Sequence, residues 1–138
     1  MLPFPLHHIG IAVPSIADAA PRFELLSGER CSPVEEIPTQ GVRVAFVGRL
    51  ELLEPLSEDS SVGRFLSRRG AGLHHLAFQV RNLPAELERL SISGFTRIDR
   101  EPRVGSGGHR VAFLHPHSTE GVLVELVEVF EGEVSDPK

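Results

Sequence analysis

Apolar and polar positions fall into short runs separated by turn residues, and the runs come in two matched sets. Leu6–Val13 reads LHHIGIAV and Leu73–Val80 reads LHHLAFQV. Each alternates between two faces and is of strand length. The second histidines of the two pairs, His8 and His75, stand 67 residues apart. The run RVAF at 43–46 recurs at 110–113 with the same 67-residue offset. Two unrelated stretches sharing one offset mark a duplicated module, and a duplicated module should carry its features in pairs.

The pattern between these landmarks predicts the remaining elements. Ser15 caps a helix running to about Leu26, with Ile16, Ala19, Ala20 and Phe23 at helical spacing. Pro21 inside it predicts a break or kink, and Gly28 ends it. Glu35–Pro38 reads as a short strand or a loop. Gly41–Val47 and Leu50–Leu53 form a hairpin closed at Gly48–Arg49. A linker helix follows at about Ser60–Arg69. The second set then runs through a helix at Leu83–Ser93, a short strand at Thr96–Asp99 and a Gly-rich loop at Glu101–Gly108. It closes with a strand at Arg110–His115, a turn at Pro116–Gly121 and a last strand at Val122–Phe130. The expected fold is α+β, two tandem βαβββ modules in a single domain. The first module spans about 5–56, the linker helix 57–71, the second module 72–131 and an acidic tail 132–138.

Strand alternation sorts the chemistry. His8 shares a face with Leu6, Gly10 and Ala12; His75 shares one with Leu73, Ala77 and Gln79. In both copies the larger apolar residues lie on the other face, the one expected to pack on a helix. His7 and His74 fall on that other face and read as packing or surface residues. Each half also carries a glutamate within an apolar run, Glu51 in LELLEP and Glu125 in VLVELVE. A buried carboxylate costs several kcal/mol unless it is paired or protonated. Two neutral imidazoles and two carboxylates make an N2O2 set for a divalent ion. Such a set suits an octahedral ion that keeps two positions open. His8, Glu51, His75 and Glu125 are therefore the expected metal ligands. Glu54 and Glu128, near strand ends, read as solvated. So do Arg64, Arg68 and Arg69 on the linker helix. His109, His115 and His117 flank the last hairpin, and Gly105–Gly108 is a weak candidate for anion binding.

Bulk properties narrow the function classes. The 138 residues are 41% hydrophobic, enough for one core. A net charge of −5 argues against nucleic acid as a partner. No apolar run reaches the roughly 20 residues that cross a bilayer, and the N-terminus lacks a basic segment before an apolar one. The single cysteine, Cys31, allows no internal disulfide and fits a reducing compartment. A cytoplasmic protein with no membrane partner is expected.

The matched segments resemble a known group. Paired βαβββ modules, with a histidine on each first strand and a glutamate on each last, resemble the vicinal oxygen chelate superfamily of glyoxalase I, extradiol dioxygenases and bleomycin-resistance proteins. Within it the chain is most similar to the methylmalonyl-CoA epimerase family, through LHHIGIAV at 6–13, QGVRVAF at 40–46, ELLEPL at 51–56, GLHHLAFQV at 72–80, GSGGHRVAFLHP at 105–116 and GVLVELVE at 121–128. The resemblance implies curved sheets forming a metal-binding cleft, with His8, Glu51, His75 and Glu125 as ligands to Co²⁺, Mn²⁺, Ni²⁺, Zn²⁺ or Mg²⁺. Some members have Gln where Glu51 stands. It implies an acyl-CoA substrate, a homodimer, and inversion of methylmalonyl-CoA through an enolate, with Glu125 as one catalytic base. A second base in the family sits in a P-E-Q-G-like segment. Here that segment is Pro38-Thr39-Gln40-Gly41, so Thr39 stands where a glutamate is often found. Glu35, Glu36 or a water relay are the alternatives. Two other readings stay open: a glyoxalase-type isomerase using the same ligands, and a non-catalytic small-molecule binding or resistance protein.

Overall fold

A computed structural model describes residues 4–130, which divide into two compact units. The acidic tail expected at 132–138 lies outside the described residues. The first unit, residues 9–74, holds most of β1 (Leu6–Ala12), α1 (Ile16–Ser27), β2 (Glu35–Ile37), β3 (Val42–Val47), β4 (Leu50–Pro55) and α2 (Ser61–Arg69). Its strands lie in the order β2-β3-β4-β1, with β1 and β4 parallel. The second unit, residues 4–8 with 75–130, holds the start of β1, most of β5 (Gly72–Val80), α3 (Leu83–Ile92), β6 (Arg103–Val104), β7 (Arg110–Leu114) and β8 (Val124–Glu128). Its order is β5-β8-β7-β6, with β5 and β8 parallel. Each half is therefore βαβββ with one topology, as the 67-residue offset predicts. No helix among the described residues is long and apolar enough to cross a membrane.

Each sheet has two faces with different tasks. In the first unit, Ile11, Val13, Ala45, Val47 and Leu52 pack under Ile16 and Ala20 of α1. On the opposite face, Ala12, Val42, Val44 and Leu53 pack against Val62 of α2. In the second unit, Val80, Ala112, Leu114, Val124 and Leu126 pack under Leu83, Leu87 and Leu90 of α3. Ala77, Val111, Val127 and Val129 form a smaller cluster on the face away from that helix. Alternation puts His75 and Glu125 on the same face as this smaller cluster.

Three elements depart from expectation. Helix α1 runs unbroken through Pro21, where the sequence predicts a break or kink. Both Pro21 and Ala17, the residue whose carbonyl loses its partner, are exposed, which leaves that carbonyl within reach of solvent. Thr96–Asp99 is not a strand but a single bridge, Arg97 to Leu114. The Asp99 carboxylate accepts from the Phe113 N–H at 2.8 Å, taking the place of a backbone ladder bond. The short strand forms instead at Arg103–Val104, inside the expected loop, against Val111 and Arg110. The last strand is also shorter than expected, ending at Glu128.

Candidate metal centre

The parallel strand pairs place the glutamates. In the first unit Glu51 is registered beside Gly10 of β1 and Phe46 of β3. In the second unit Glu125 is registered beside Ala77 of β5 and Phe113 of β7. It is one register repeated. Each glutamate stands next to the small residue two positions after a histidine, and both carboxylates are buried.

His8, His75 and Glu125 all belong to the second unit, and the structure brings them together. His8 Nε2 lies 3.1 Å from His75 Nε2. Glu125 Oε1 lies 3.0 Å from His8 Nε2 and 3.1 Å from His75 Nε2. The residues are 2%, 4% and 6% exposed. The three atoms thus form a nearly equilateral triangle in a dry environment. If both imidazoles carry their proton on Nδ1, Oε1 accepts no hydrogen bond there and three lone pairs converge. A cation resolves that conflict. With ligands at about 2.1 Å, neighbouring corners of an octahedron are about 3.0 Å apart and those of a tetrahedron about 3.4 Å. The edges of the triangle match one face of an octahedral site, so these residues fit a divalent ion.

Burial, the largest influence on Glu125, pushes its carboxyl up. Hydrogen bonding and charge from His75 and His8 together outweigh burial and hold it well below the ordinary carboxylate range. His75 is braced edge-on against the Phe113 ring, 5.8 Å between centroids.

Sequence reasoning missed a second pair of glutamates. Glu128 is buried rather than solvated. Its Oε2 accepts from the Leu83 N–H at the start of α3 at 2.9 Å, and the carboxylate takes a two-pronged contact from Arg110 at 2.7 and 2.9 Å. Glu54 is its counterpart: Oε1 accepts from the Ile16 N–H at the start of α1 at 2.8 Å, and Oε2 takes Arg43 at 2.9 Å. Each module thus pins the N-terminus of its helix to its last strand through an Arg–Glu pair. The signal was available, since Glu54 and Glu128 share the 74-residue offset of Glu51 and Glu125.

His7 is 3% exposed, in keeping with its reading as a packing residue, and its Nδ1 lies 2.8 Å from His8 Nδ1. His74 packs as expected, edge-on to Phe65 at 4.9 Å. His115 and His117 are exposed. In the Gly-rich loop, the Gly105 and Gly108 N–H groups bond within the loop, to His109 and Gly105 carbonyls, which removes them as anion donors. Arg69 lies over the Phe65 ring and Arg64 donates to the Asp59 carbonyl, both on the exposed face of α2.

Known proteins share this sequence and fold. The profile of the glyoxalase/bleomycin resistance protein/dioxygenase superfamily matches residues 7–113. The uncharacterized protein YqjC of Bacillus subtilis is 46% identical over 89% of this chain and 91% of its own length. The ethylmalonyl-CoA/methylmalonyl-CoA epimerase of Cereibacter sphaeroides is 36% identical over 90% of this chain and 97% of its own. A solved structure of a methylmalonyl-CoA epimerase in complex with methylmalonyl-CoA and NH4+ matches with a TM-score of 0.89. It is 35% identical and covers 94% of this chain and 97% of that chain.

Proposed function

Because the chain belongs to the glyoxalase/bleomycin resistance protein/dioxygenase superfamily and, within it, to the methylmalonyl-CoA epimerase family, we propose that it inverts the α-carbon of methylmalonyl-CoA with a divalent ion held by His8, Glu51, His75 and Glu125. The triangle of His8 Nε2, His75 Nε2 and Glu125 Oε1 is the observation that carries this reading. Glu51, buried on β4, supplies the fourth ligand in the proposal. Coenzyme A thioesters of malonate type offer two oxygens flanking one weakly acidic C–H. An ion in the site supplies a Lewis acid for those oxygens, so the enolate charge is stabilised as it develops.

The protein's own groups then move the proton. Inversion needs one acid–base group on each side of the carbon. Glu125 is assigned to one side: its carboxylate is buried and its Oε1 faces both imidazoles. For the other side, Thr39 is exposed and its hydroxyl is too weak an acid to serve. The β2–β3 register favours Glu35 over Glu36. Glu35 pairs with Val44 and so shares the sheet face of Val44, Leu53 and Glu51. Glu36 pairs with Arg43 on the α1 face and is tied to its guanidinium at 3.0 Å.

Two expected results test this. Adding Mn²⁺ or Co²⁺ to metal-free protein raises the melting temperature. At 100 times Kd the gain is about 2.7 kcal/mol, or roughly 9 °C for a chain of this size. No shift in calorimetry with either ion counts against the site. The E35Q variant retains α-proton exchange from one stereoisomer of methylmalonyl-CoA, while inversion falls by about 10²-fold or more. Inversion at the wild-type rate moves the second proton to a water relay. Thr39 is also the observation favouring a second reading, a glyoxalase-type isomerase. Turnover of a glutathione hemithioacetal, with no inversion of acyl-CoA, establishes that reading instead.

A further inference from the structure

We infer that His7 is a positioning residue for His8: it accepts the His8 Nδ1 proton and so fixes the tautomer that presents the His8 Nε2 lone pair. This rests on the reading of His8 as a metal ligand. The two rings are buried, with centroids 5.1 Å apart and planes at 72°. Their Nδ1 atoms are 2.8 Å apart. A contact that short needs one hydrogen between the nitrogens, since two lone pairs repel and two N–H groups collide.

Only two neutral arrangements supply it. If His7 donates, His8 carries its own proton on Nε2, pointing at His75 Nε2 and Glu125 Oε1, and cannot ligate. If His8 donates, its Nε2 lone pair enters the triangle, and His7 carries its proton on Nε2. Metal-bound histidines almost always donate their other ring N–H to an outer acceptor, and replacing that acceptor typically costs about 10–100-fold in metal affinity or activity. His7 is placed to be one.

Neighbouring groups hold His7 in that role. The His109 ring packs edge-on to it, 6.3 Å between centroids. His109 itself is fixed, because its Nδ1 lies 3.0 Å from the Glu128 carbonyl, which can only accept. The row His109–His7–His8 is thereby anchored to the buried strand β8. His74, the counterpart of His7, packs edge-on to Phe65.

The test uses the full-length protein, Zn²⁺ as the probe ion and the variants H7L, H7F, H7D and H8A. Calorimetry measures zinc affinity, and NMR of ¹⁵N-histidine protein reads the tautomer. The expected results are a proton on His8 Nδ1 in the zinc-loaded wild type and a 10–100-fold loss of affinity in H7L. H7D, whose carboxylate accepts the same proton, recovers most of that loss. H7F, a ring with no acceptor, behaves as H7L and serves where leucine does not pack. Wild-type affinity in both H7L and H7F overturns the inference, as does an H7D variant no better than they are. Wild-type affinity in H8A overturns the ligand reading itself, and the inference with it.

Discussion

Replacing Glu125 with alanine is expected to lower α-proton exchange by about 10³-fold and to remove divalent-ion binding. The carboxylate contributes one corner of the ligand triangle, the charge that balances the ion, and one proposed acid–base group. Glutamine at this position keeps the shape and discards the charge, so E125Q should lose nearly as much. Stability should fall as well. Contacts with His75 and His8 outweigh burial and favour the ionised Glu125, so the metal-free E125A protein is expected to melt lower than metal-free wild type. Exchange rates measured by NMR and melting curves recorded with a chelator present check both halves. Exchange within tenfold of wild type in E125A contradicts the assignment.

The second large effect is on folding. E128A strips the carboxylate from the start of α3 and leaves the Leu83 N–H without its acceptor. Losing a hydrogen bond to a buried charged acceptor costs about 2.5 kcal/mol, roughly 8 °C in melting temperature. The Arg110 guanidinium is half-exposed and regains water, so it adds little. E54A should cost less, because the Glu54 side chain is 21% exposed against 2% for Glu128. The sign with pH also follows. The hydrogen bond from Arg110, aided by the Leu83 N–H and opposed by burial, holds the Glu128 carboxyl below its ordinary value. Its stabilisation is therefore complete above the unfolded-state value, near pH 4.3. It is lost as pH falls through the folded-state value. The stability gap between wild type and E128Q should stay constant from pH 7 to 5 and close below pH 4. A gap that widens in acid contradicts the clamp.

These two glutamates lie three residues apart on one strand, and the sequence treats them unequally. Glu125 was legible because its run is apolar on both sides and its partner Glu51 sits in a matching run. Strand alternation then put His75 and Glu125 on one face, as the structure does. Glu128 was not legible, because what makes it buried lies 18 and 45 residues away, at Arg110 and Leu83. A glutamate near a strand end looks solvated until those partners fold onto it. The contact between His7 and His8 was not legible, because alternation assigns faces and not the distance between neighbouring rings. Thr96–Asp99 failed because a side chain, the Asp99 carboxylate, replaced a backbone partner. The duplication, by contrast, carried through to the element order, the registers around the two glutamate strands and the paired glutamates.

The central claim is that His8, His75, Glu51 and Glu125 hold an ion that makes the α-proton of methylmalonyl-CoA removable. Its most direct test is α-proton exchange in deuterated water, followed by NMR, with chelated protein and with Co²⁺, Mn²⁺, Ni²⁺, Zn²⁺ and Mg²⁺ added back in turn. The account predicts exchange that vanishes on chelation and returns with at least one ion. Exchange unaffected by chelation, or none with any ion, contradicts it.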